Sequence, residues 1–134
     1  MSKENVAVIR GIYDGFAAGD VAGVLDRMSA DIRWMEAENF PYADRNPYVG
    51  PQAVAEGVFA RCVGEWNGFT VTPEEFLDAG DTIVVTGRYS GACKATGKAI
   101  DMQFAHVWRV QNGKAARFQQ YADTLQIARA MSAA

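Results

Sequence analysis

The hydrophobic pattern of the chain changes its period about half way along, and this change restricts the fold more than any other feature. Up to about residue 63, apolar residues recur every three or four positions, which is typical of amphipathic helices. After Trp66-Asn67-Gly68, apolar and polar residues alternate, which is typical of strands with one buried face. Helices followed by antiparallel strands indicate an α+β fold, with the helices packed on one face of a curved sheet.

Three helices are predicted in the first half of the chain. The first ends at Gly19, the second begins at Asp20, and the third begins at Pro51 and runs to about Val63. The first helix has an apolar stripe at helical spacing, formed by Val6, Ile9, Tyr13, Phe16 and Ala17.

A short strand and a loop separate the second helix from the third. Alternation over residues 32–36 predicts a strand with Ile32, Trp34 and Glu36 on one face. Residues 39–50 contain Pro41 and Pro47 and are predicted to be a loop.

The second half is predicted to hold four strands and a short terminal helix. The strands lie near residues 69–78, 82–93, 98–110 and 115–123, and the helix begins at about Thr124. The 134 residues suffice for one domain, so residues 1–134 are expected to form a single one.

The last hairpin allows two pairing registers. A two-residue Asn112-Gly113 turn would place His106 opposite Gln119, whereas a three-residue loop would place it opposite Phe118. The second register collects the apolar residues on one face, and we therefore prefer it. It also places His106 and Gln120 on that inner face.

Two polar side chains on an apolar face need partners, since a buried polar group without a hydrogen bond costs free energy. His106 and Gln120 are expected to bind each other, a water molecule or a ligand. The alternative is that His106 is a core histidine whose needs are met within the protein.

Charge and residue counts exclude several function classes. The net charge is −3 and the positive residues are scattered, which argues against nucleic-acid binding. A single histidine and two distant cysteines indicate neither a multi-histidine metal site nor a disulfide framework. The N-terminus lacks a signal-peptide core, and no apolar stretch reaches the roughly 20 residues needed to span a membrane, so we expect a cytoplasmic protein.

Several segments together resemble one known family. They are Ala18-Gly19-Asp20, the strand at residues 31–36, Tyr48-Val49-Gly50-Pro51 and, most closely, the hairpin segments at residues 105–114 and 118–124. The chain resembles the nuclear transport factor 2-like superfamily, and within it the SnoaL-like polyketide cyclase and ketosteroid isomerase-like branch. The resemblance spans about residues 3–128. It is specific for the fold and weak for the reaction, because many chemistries share this fold.

The resemblance implies a cone-shaped half-barrel of the α+β class. A strongly curved antiparallel sheet would wrap around the three helices, and a deep apolar pocket would open at the wide end. Family members are usually homodimers paired through the outer face of the sheet. In our register that face carries Gln103, Ala105, Val107, Gln119 and Tyr121.

The resemblance also suggests catalytic residues, position by position. Glu36 matches the strand-end general base of the steroid isomerases, and His106 stands where these enzymes have a protonated Asp as oxyanion donor. The polyketide cyclases have a His at this second position, and an acid/base Asp where this chain has Gln120, whose amide cannot take up a proton at neutral pH. The first-helix Tyr of the isomerases falls near Ile12, and the neighbouring Tyr13 is expected to point elsewhere.

The candidate catalytic residues are therefore Glu36, His106 and Gln120. In an apolar pocket, desolvation would raise the pKa of Glu36, as suits proton transfer; the alternative is a carboxylate in solvent. Residues 40–48 are either a lid over the pocket mouth or an ordinary surface connection. The candidate ligand-binding residues are aromatic, and some of them would be plain core: Phe16, Trp34, Phe40, Phe59, Trp66, Phe104 and Phe118.

Two functions of different classes follow. The first is an isomerase or cyclase that moves a proton on a small apolar carbonyl compound, without metal or cofactor. The second is a non-catalytic pocket protein that binds a small ligand or serves as a dimeric scaffold. A third, epoxide hydrolase-like activity needs an Asp–Arg–Asp array in the pocket, whereas Asp101 and Arg109 fall on the face opposite His106.

Overall fold

The structure is a computed structural model that describes residues 2–133. In its first half, the helices lie close to their predicted positions. Gly19, with a positive φ of 70°, ends the first helix, and the Asp20 side chain caps the second by accepting a hydrogen bond from the Gly23 N–H. A π-helical turn (Ala55–Phe59) joins the third and fourth helices into one uninterrupted helical segment. The helices of this half are α1 (Ser2–Ala18), α2 (Val21–Asp26), α3 (Pro51–Val54) and α4 (Ala60–Glu65).

Six strands form one open, mixed sheet in the order β2-β1-β6-β5-β4-β3. Its strands are β1 (Met28–Met35), β2 (Tyr48–Val49), β3 (Trp66–Ala79), β4 (Thr82–Cys93), β5 (Ala99–Gln111) and β6 (Lys114–Ala122). The expectation of a wholly antiparallel sheet is wrong at one pairing, because β1 lies parallel to β6. Parallel neighbours need a long connection, and here the rest of the sheet and the helical segment 51–65 provide it.

The β5–β6 hairpin has the predicted faces but not the predicted pairs. Asn112 and Gly113 form a two-residue turn, both with positive φ, between Gln111 and Lys114. Ala116 is then an extra residue in β6, so that His106 lies opposite Gln120 rather than Phe118. Relative to the preferred three-residue loop, the partner of His106 has moved by two residues, from Phe118 to Gln120. Because successive side chains point to opposite faces of a strand, a shift of two leaves the predicted inner face unchanged.

The core lies between the concave face of the sheet and the helices. α1 packs against β3, β4 and β6, and the last helix, α5 (Thr124–Met131), packs against β4 and β5. Alternate residues of β5 from Ile100 to Val110 are buried, as the period-two pattern predicted. Within residues 2–133, no helix is long and apolar enough to cross a membrane.

Candidate functional site

A cavity of about 330 Å³ lies between α1, the helical segment 51–65 and the inner face of the sheet. Its lining is mainly apolar and aromatic, with the polar side chains of Glu36, Tyr89, His106 and Gln120 among it. All three candidate catalytic residues therefore face the same space. Five of the seven candidate ligand-binding residues also line it: Phe16, Trp34, Phe40, Phe59 and Phe118.

The other two aromatic candidates, Trp66 and Phe104, have supporting positions instead. Trp66 donates its indole N–H to the Tyr42 hydroxyl at 3.0 Å, and so holds the connection after β1. Phe104 stacks on the His106 ring with 3.9 Å between the centroids. Neither residue is among those that line the cavity, so their part in ligand binding stays a prediction.

Glu36 directly follows β1 and is held by local contacts. Its backbone N–H donates to Asn46 Oδ1 at 3.0 Å, and its carbonyl accepts from Asn46 Nδ2 at 2.8 Å. Its carboxylate oxygen Oε2 accepts the Trp34 indole N–H at 3.0 Å. The other oxygen, Oε1, has no hydrogen-bond partner among residues 2–133, and is the oxygen open to a ligand.

Burial changes the acidity of Glu36. The side chain is 3% exposed, and desolvation raises its pKa from 4.5 to about 7, although the Trp34 hydrogen bond and the Arg61 charge act in the opposite direction. Glu36 is thus not the solvent carboxylate of the alternative interpretation. Near neutral pH it exists in both protonation states.

His106 lies between two tyrosines, one at each ring nitrogen. Nδ1 is hydrogen-bonded to the Tyr13 hydroxyl at 2.5 Å, and Nε2 to the Tyr89 hydroxyl. The Tyr13 oxygen also accepts the Trp108 indole N–H at 2.9 Å. Burial lowers the pKa of His106 well below its usual value, so the imidazole is neutral.

Gln120 joins this group from the neighbouring strand. Its Nε2 donates to the Tyr89 hydroxyl at 2.9 Å, and its Oε1 accepts the backbone N–H of Ala37 at 3.0 Å. His106 and Gln120 are cross-strand partners, which brings both to the same hydroxyl. The inner-face polar pair expected from the sequence is present, and Tyr89 connects its two members.

Two residues of this group were missed or misplaced by sequence reasoning. Tyr13 was expected to point elsewhere, yet it is 2% exposed and directed at His106. Its place on the apolar stripe of α1, four residues after Ile9, is the signal that could have indicated this inward direction. Tyr89 belongs, with Ile83 and Val85, to the buried residues that alternate along β4. This pattern does not distinguish an aromatic core residue from a residue of a functional site.

Contacts with α4 hold the connection between β1 and β2 in place. Its 3₁₀ segment (Pro41–Arg45) is tied to α4 by Arg61, whose guanidinium donates to both Asp44 carboxylate oxygens at 2.8 and 3.0 Å. Arg61 also donates to the Tyr48 hydroxyl at 2.8 Å and lies over the Tyr42 ring. Phe40, just before the segment, reaches into the cavity. Whether residues 40–48 act as a lid stays a prediction.

The residues considered for epoxide hydrolase chemistry lie outside the cavity. The Asp101 carboxylate accepts from Arg88 at 2.8 Å on the outer surface of the sheet, and Arg109 is exposed. Among residues 2–133, no Asp–Arg–Asp array lines the cavity.

Comparisons with known proteins agree with the fold. A family model for the SnoaL-like domain matches residues 9–118. An NTF2-like protein from Burkholderia thailandensis is 36% identical over 96% of this chain and 97% of its own, with a TM-score of 0.92. TerC, co-crystallized with polyporic acid, is 27% identical over 95% of this chain and 97% of its own, with a TM-score of 0.84.

A more distant structure shows the fold alone. A putative SnoaL-like polyketide cyclase from Jannaschia is 18% identical over 99% of this chain and 94% of its own, with a TM-score of 0.84. Among curated proteins, none matched the chain. The family expected from the hairpin segments is confirmed: this chain belongs to the SnoaL-like family of the nuclear transport factor 2-like superfamily.

Proposed function

We propose that the protein is a cofactor-independent enzyme that moves a proton on a small, apolar carbonyl compound. The observation that carries this proposal is Glu36, a buried carboxyl group in the wall of an apolar cavity, one oxygen of which has no hydrogen-bond partner among the described residues. A general acid/base works best when its pKa lies near the working pH, and burial raises the pKa of Glu36 to about 7.

In the proposed reaction, Glu36 Oε1 removes a proton from the carbon next to the carbonyl group. The electron pair of the broken C–H bond moves into the new C–C double bond, and negative charge develops on the carbonyl oxygen. Glu36 then returns the proton to the same carbon or to another one, and the carbonyl group re-forms. A hydrogen bond from the polar group in the cavity wall, formed by Tyr89, His106 and Gln120, would stabilise the negative oxygen.

The cavity limits the size of the substrate. A space of about 330 Å³ lies at the lower end of the range of small-molecule pockets, roughly 300–1,000 Å³, so it suits a small organic ligand. The aromatic walls favour a planar compound with one ring or two fused rings. The co-crystallisation of TerC with polyporic acid supports a small organic ligand in this family.

2-Tetralone, a bicyclic ketone of this size with acidic C–H bonds, tests the proposal. We expect the protein to accelerate exchange of its α-hydrogens for deuterium in heavy water, followed by NMR. Glu36→Gln removes the acid/base, and the rate should fall by about a hundredfold or more. Glu38→Gln, a change of an exposed carboxylate two residues away, is the matched control and should exchange like the wild type.

The second candidate function is ligand binding without catalysis. It is favoured by one observation: the polar side-chain groups of His106 and Gln120 all have partners within the protein. In that case 2-tetralone would bind, but its exchange rate in the presence of the wild type would equal that with Glu36→Gln.

We further propose that two copies of this single domain, residues 1–134, pair through the outer face of the sheet. Tyr121 is 57% exposed on that face, beside Ala105, and Val107 and Gln119 form the adjacent cross-strand pair. Apolar side chains that are exposed to solvent at the centre of a sheet face are typical of a protein–protein interface. The cytoplasmic location expected from the sequence also stays a prediction, which cell fractionation can test.

A further inference from the structure

The hydrogen atoms around His106 can be counted, because the partners of both ring nitrogens are known. The Trp108 indole N–H and the Gln120 amide N–H can only donate, and they donate to the oxygens of Tyr13 and Tyr89. The orientation of the Gln120 amide is fixed independently, since the Ala37 N–H needs the amide oxygen as its acceptor. Each tyrosine oxygen therefore already accepts one hydrogen bond.

Two contacts remain, one from each tyrosine hydroxyl to the imidazole. Three hydrogens are available for them: the two phenol hydrogens and the single N–H of a neutral imidazole. If the N–H is on Nε2, Tyr13 donates to Nδ1 and the hydrogen of Tyr89 is left over. If the N–H is on Nδ1, Tyr89 donates to Nε2 and the hydrogen of Tyr13 is left over.

The surroundings of the two hydroxyls decide between these arrangements. Tyr13 does not line the cavity, and its oxygen has no partner among residues 2–133 beyond Trp108 and His106. A hydrogen left over on Tyr13 would be a buried donor without an acceptor, which costs free energy. Tyr89 lines the cavity, where a ligand or a water molecule can accept its hydrogen.

We infer that Tyr89 donates its free hydroxyl hydrogen to the ligand's oxygen atom, and that His106 positions Tyr89 through an Nε2–H hydrogen bond. The ligand class is a compound with an oxygen acceptor, a ketone or its enolate, and this assignment rests on the proposed function. Tyr89 is then a catalytic residue, whereas His106 and Gln120 are positioning residues that occupy the other two hydrogen-bonding sites of its oxygen.

The position of Glu36 agrees with this inference. Both residues line the cavity, and the Glu36 charge adds to the rise that burial causes in the pKa of Tyr89. Glu36 Oε1 and Tyr89 are not hydrogen-bonded to each other. A carbonyl group between them would place its oxygen on Tyr89 and its neighbouring carbon near the acid/base.

The test compares the affinities of 2-tetralone and tetralin, which differ by one carbonyl oxygen, in three proteins. Calorimetry gives the ratio of the two dissociation constants for the wild type, Tyr89→Phe and Tyr13→Phe. We expect the preference for 2-tetralone to fall about tenfold in Tyr89→Phe, because the donor is lost, and to change little in Tyr13→Phe. Tyr13→Phe is the matched control, since it removes the hydroxyl on the other side of the same imidazole.

Three results would overturn the inference. They are a ratio in Tyr89→Phe within about twofold of the wild type, a larger loss in Tyr13→Phe than in Tyr89→Phe, and no binding of 2-tetralone at millimolar concentration. Failure of the proposed function has a different signature. The affinity ratio would still depend on Tyr89, but α-hydrogen exchange would not depend on Glu36.

A second measurement needs no variant and no ligand. Nitrogen NMR of isotope-labelled wild-type protein distinguishes a protonated from an unprotonated imidazole nitrogen. We expect protonated Nε2 and unprotonated Nδ1 at neutral pH. Protonation at Nδ1 would place the spare hydrogen on Tyr13 and would overturn the inference, even if Tyr89→Phe fails to fold.

Discussion

At the residue scale, the site is oriented by contacts that exist without a ligand. The Trp34 indole N–H donates to one carboxylate oxygen of Glu36, and the Asn46 side chain binds both the backbone N–H and the backbone carbonyl of Glu36. The other carboxylate oxygen has no hydrogen-bond partner in the part of the chain that the structure describes. Such preorganisation means that little reorganisation is needed when a substrate enters.

The raised pKa of Glu36 predicts a pH dependence of stability. The folded protein binds this proton more tightly than the unfolded chain, because the pKa is about 7 in the folded protein and 4.5 for a glutamate side chain in water. The contribution to stability is therefore fully present below pH 4.5 and is lost as the pH rises to about 7. Relative to Glu36→Gln, the free energy of unfolding of the wild type should fall by about 3 kcal/mol over this range.

Urea unfolding of both proteins at a series of pH values measures this difference. Comparison at each pH removes the contributions of groups that both proteins share. The same comparison with Glu38→Gln controls for the loss of one carboxylate. A difference between the wild type and Glu36→Gln that stays constant with pH would contradict the burial of an ionisable Glu36.

Gly57 gives a second prediction at this scale. A Cβ at this position would lie 2.2 Å from a carbon of the Tyr48 ring, and the Tyr48 hydroxyl is held by Tyr42 and Arg61. Gly57→Ala should therefore destabilise the protein by about 1–3 kcal/mol. Gly64→Ala, in α4 with open space around it, is the matched control and should be neutral or stabilising by up to about 1 kcal/mol. Equal unfolding midpoints in urea would show that the Tyr48 ring moves freely.

The sequence predicted single residues well where a period defines their direction. Ile32, Trp34 and Glu36 share the buried side of the first strand, as alternation indicated. It did not predict that Tyr89 would connect His106 and Gln120. That connection depends on which residues of three different strands lie side by side, and no local pattern contains this information.

At the element scale, Arg61 joins the 3₁₀ segment to α4, and its loss should release the segment. Arg61→Ala removes the paired hydrogen bonds to Asp44 and the bond to Tyr48, so amide hydrogen exchange of residues 42–45 should become about tenfold faster. Mass spectrometry of peptic fragments measures this rate. Arg88→Ala breaks the exposed Arg88–Asp101 pair on the sheet and should leave the rate unchanged. Unchanged exchange in Arg61→Ala would mean that the aromatic contacts alone hold the segment.

The elements themselves were largely predictable, and the connections between them less so. Strands and helices begin and end within a few residues of the expected positions, because turns at Gly80, Gly97 and Gly113 mark their ends. The bulge at Ala116 and the parallel pairing of β1 with β6 were not predicted. No residue type marks the position of this bulge in the sequence. The parallel pairing depends on packing between segments that are far apart in the chain.

At the scale of the whole molecule, the proposed dimer predicts which surface change affects assembly. Tyr121→Glu places a charge in the centre of the outer sheet face, so sedimentation should show a dimer for the wild type and a monomer for this variant. Leu125→Glu, at a residue 58% exposed on α5, controls for adding a charge at an apolar surface position and should stay dimeric. A monomeric wild type would contradict the proposed dimer.

The hydrogen bond between Trp34 and Glu36 has a practical consequence. The indole N–H points at a carboxyl group that changes its charge near neutral pH, and the ring forms part of the cavity wall. Indole emission responds to nearby charge and to the departure of water. The intrinsic fluorescence of the protein therefore contains an optical signal, located at the site itself, for both titration of the acid and occupation of the cavity.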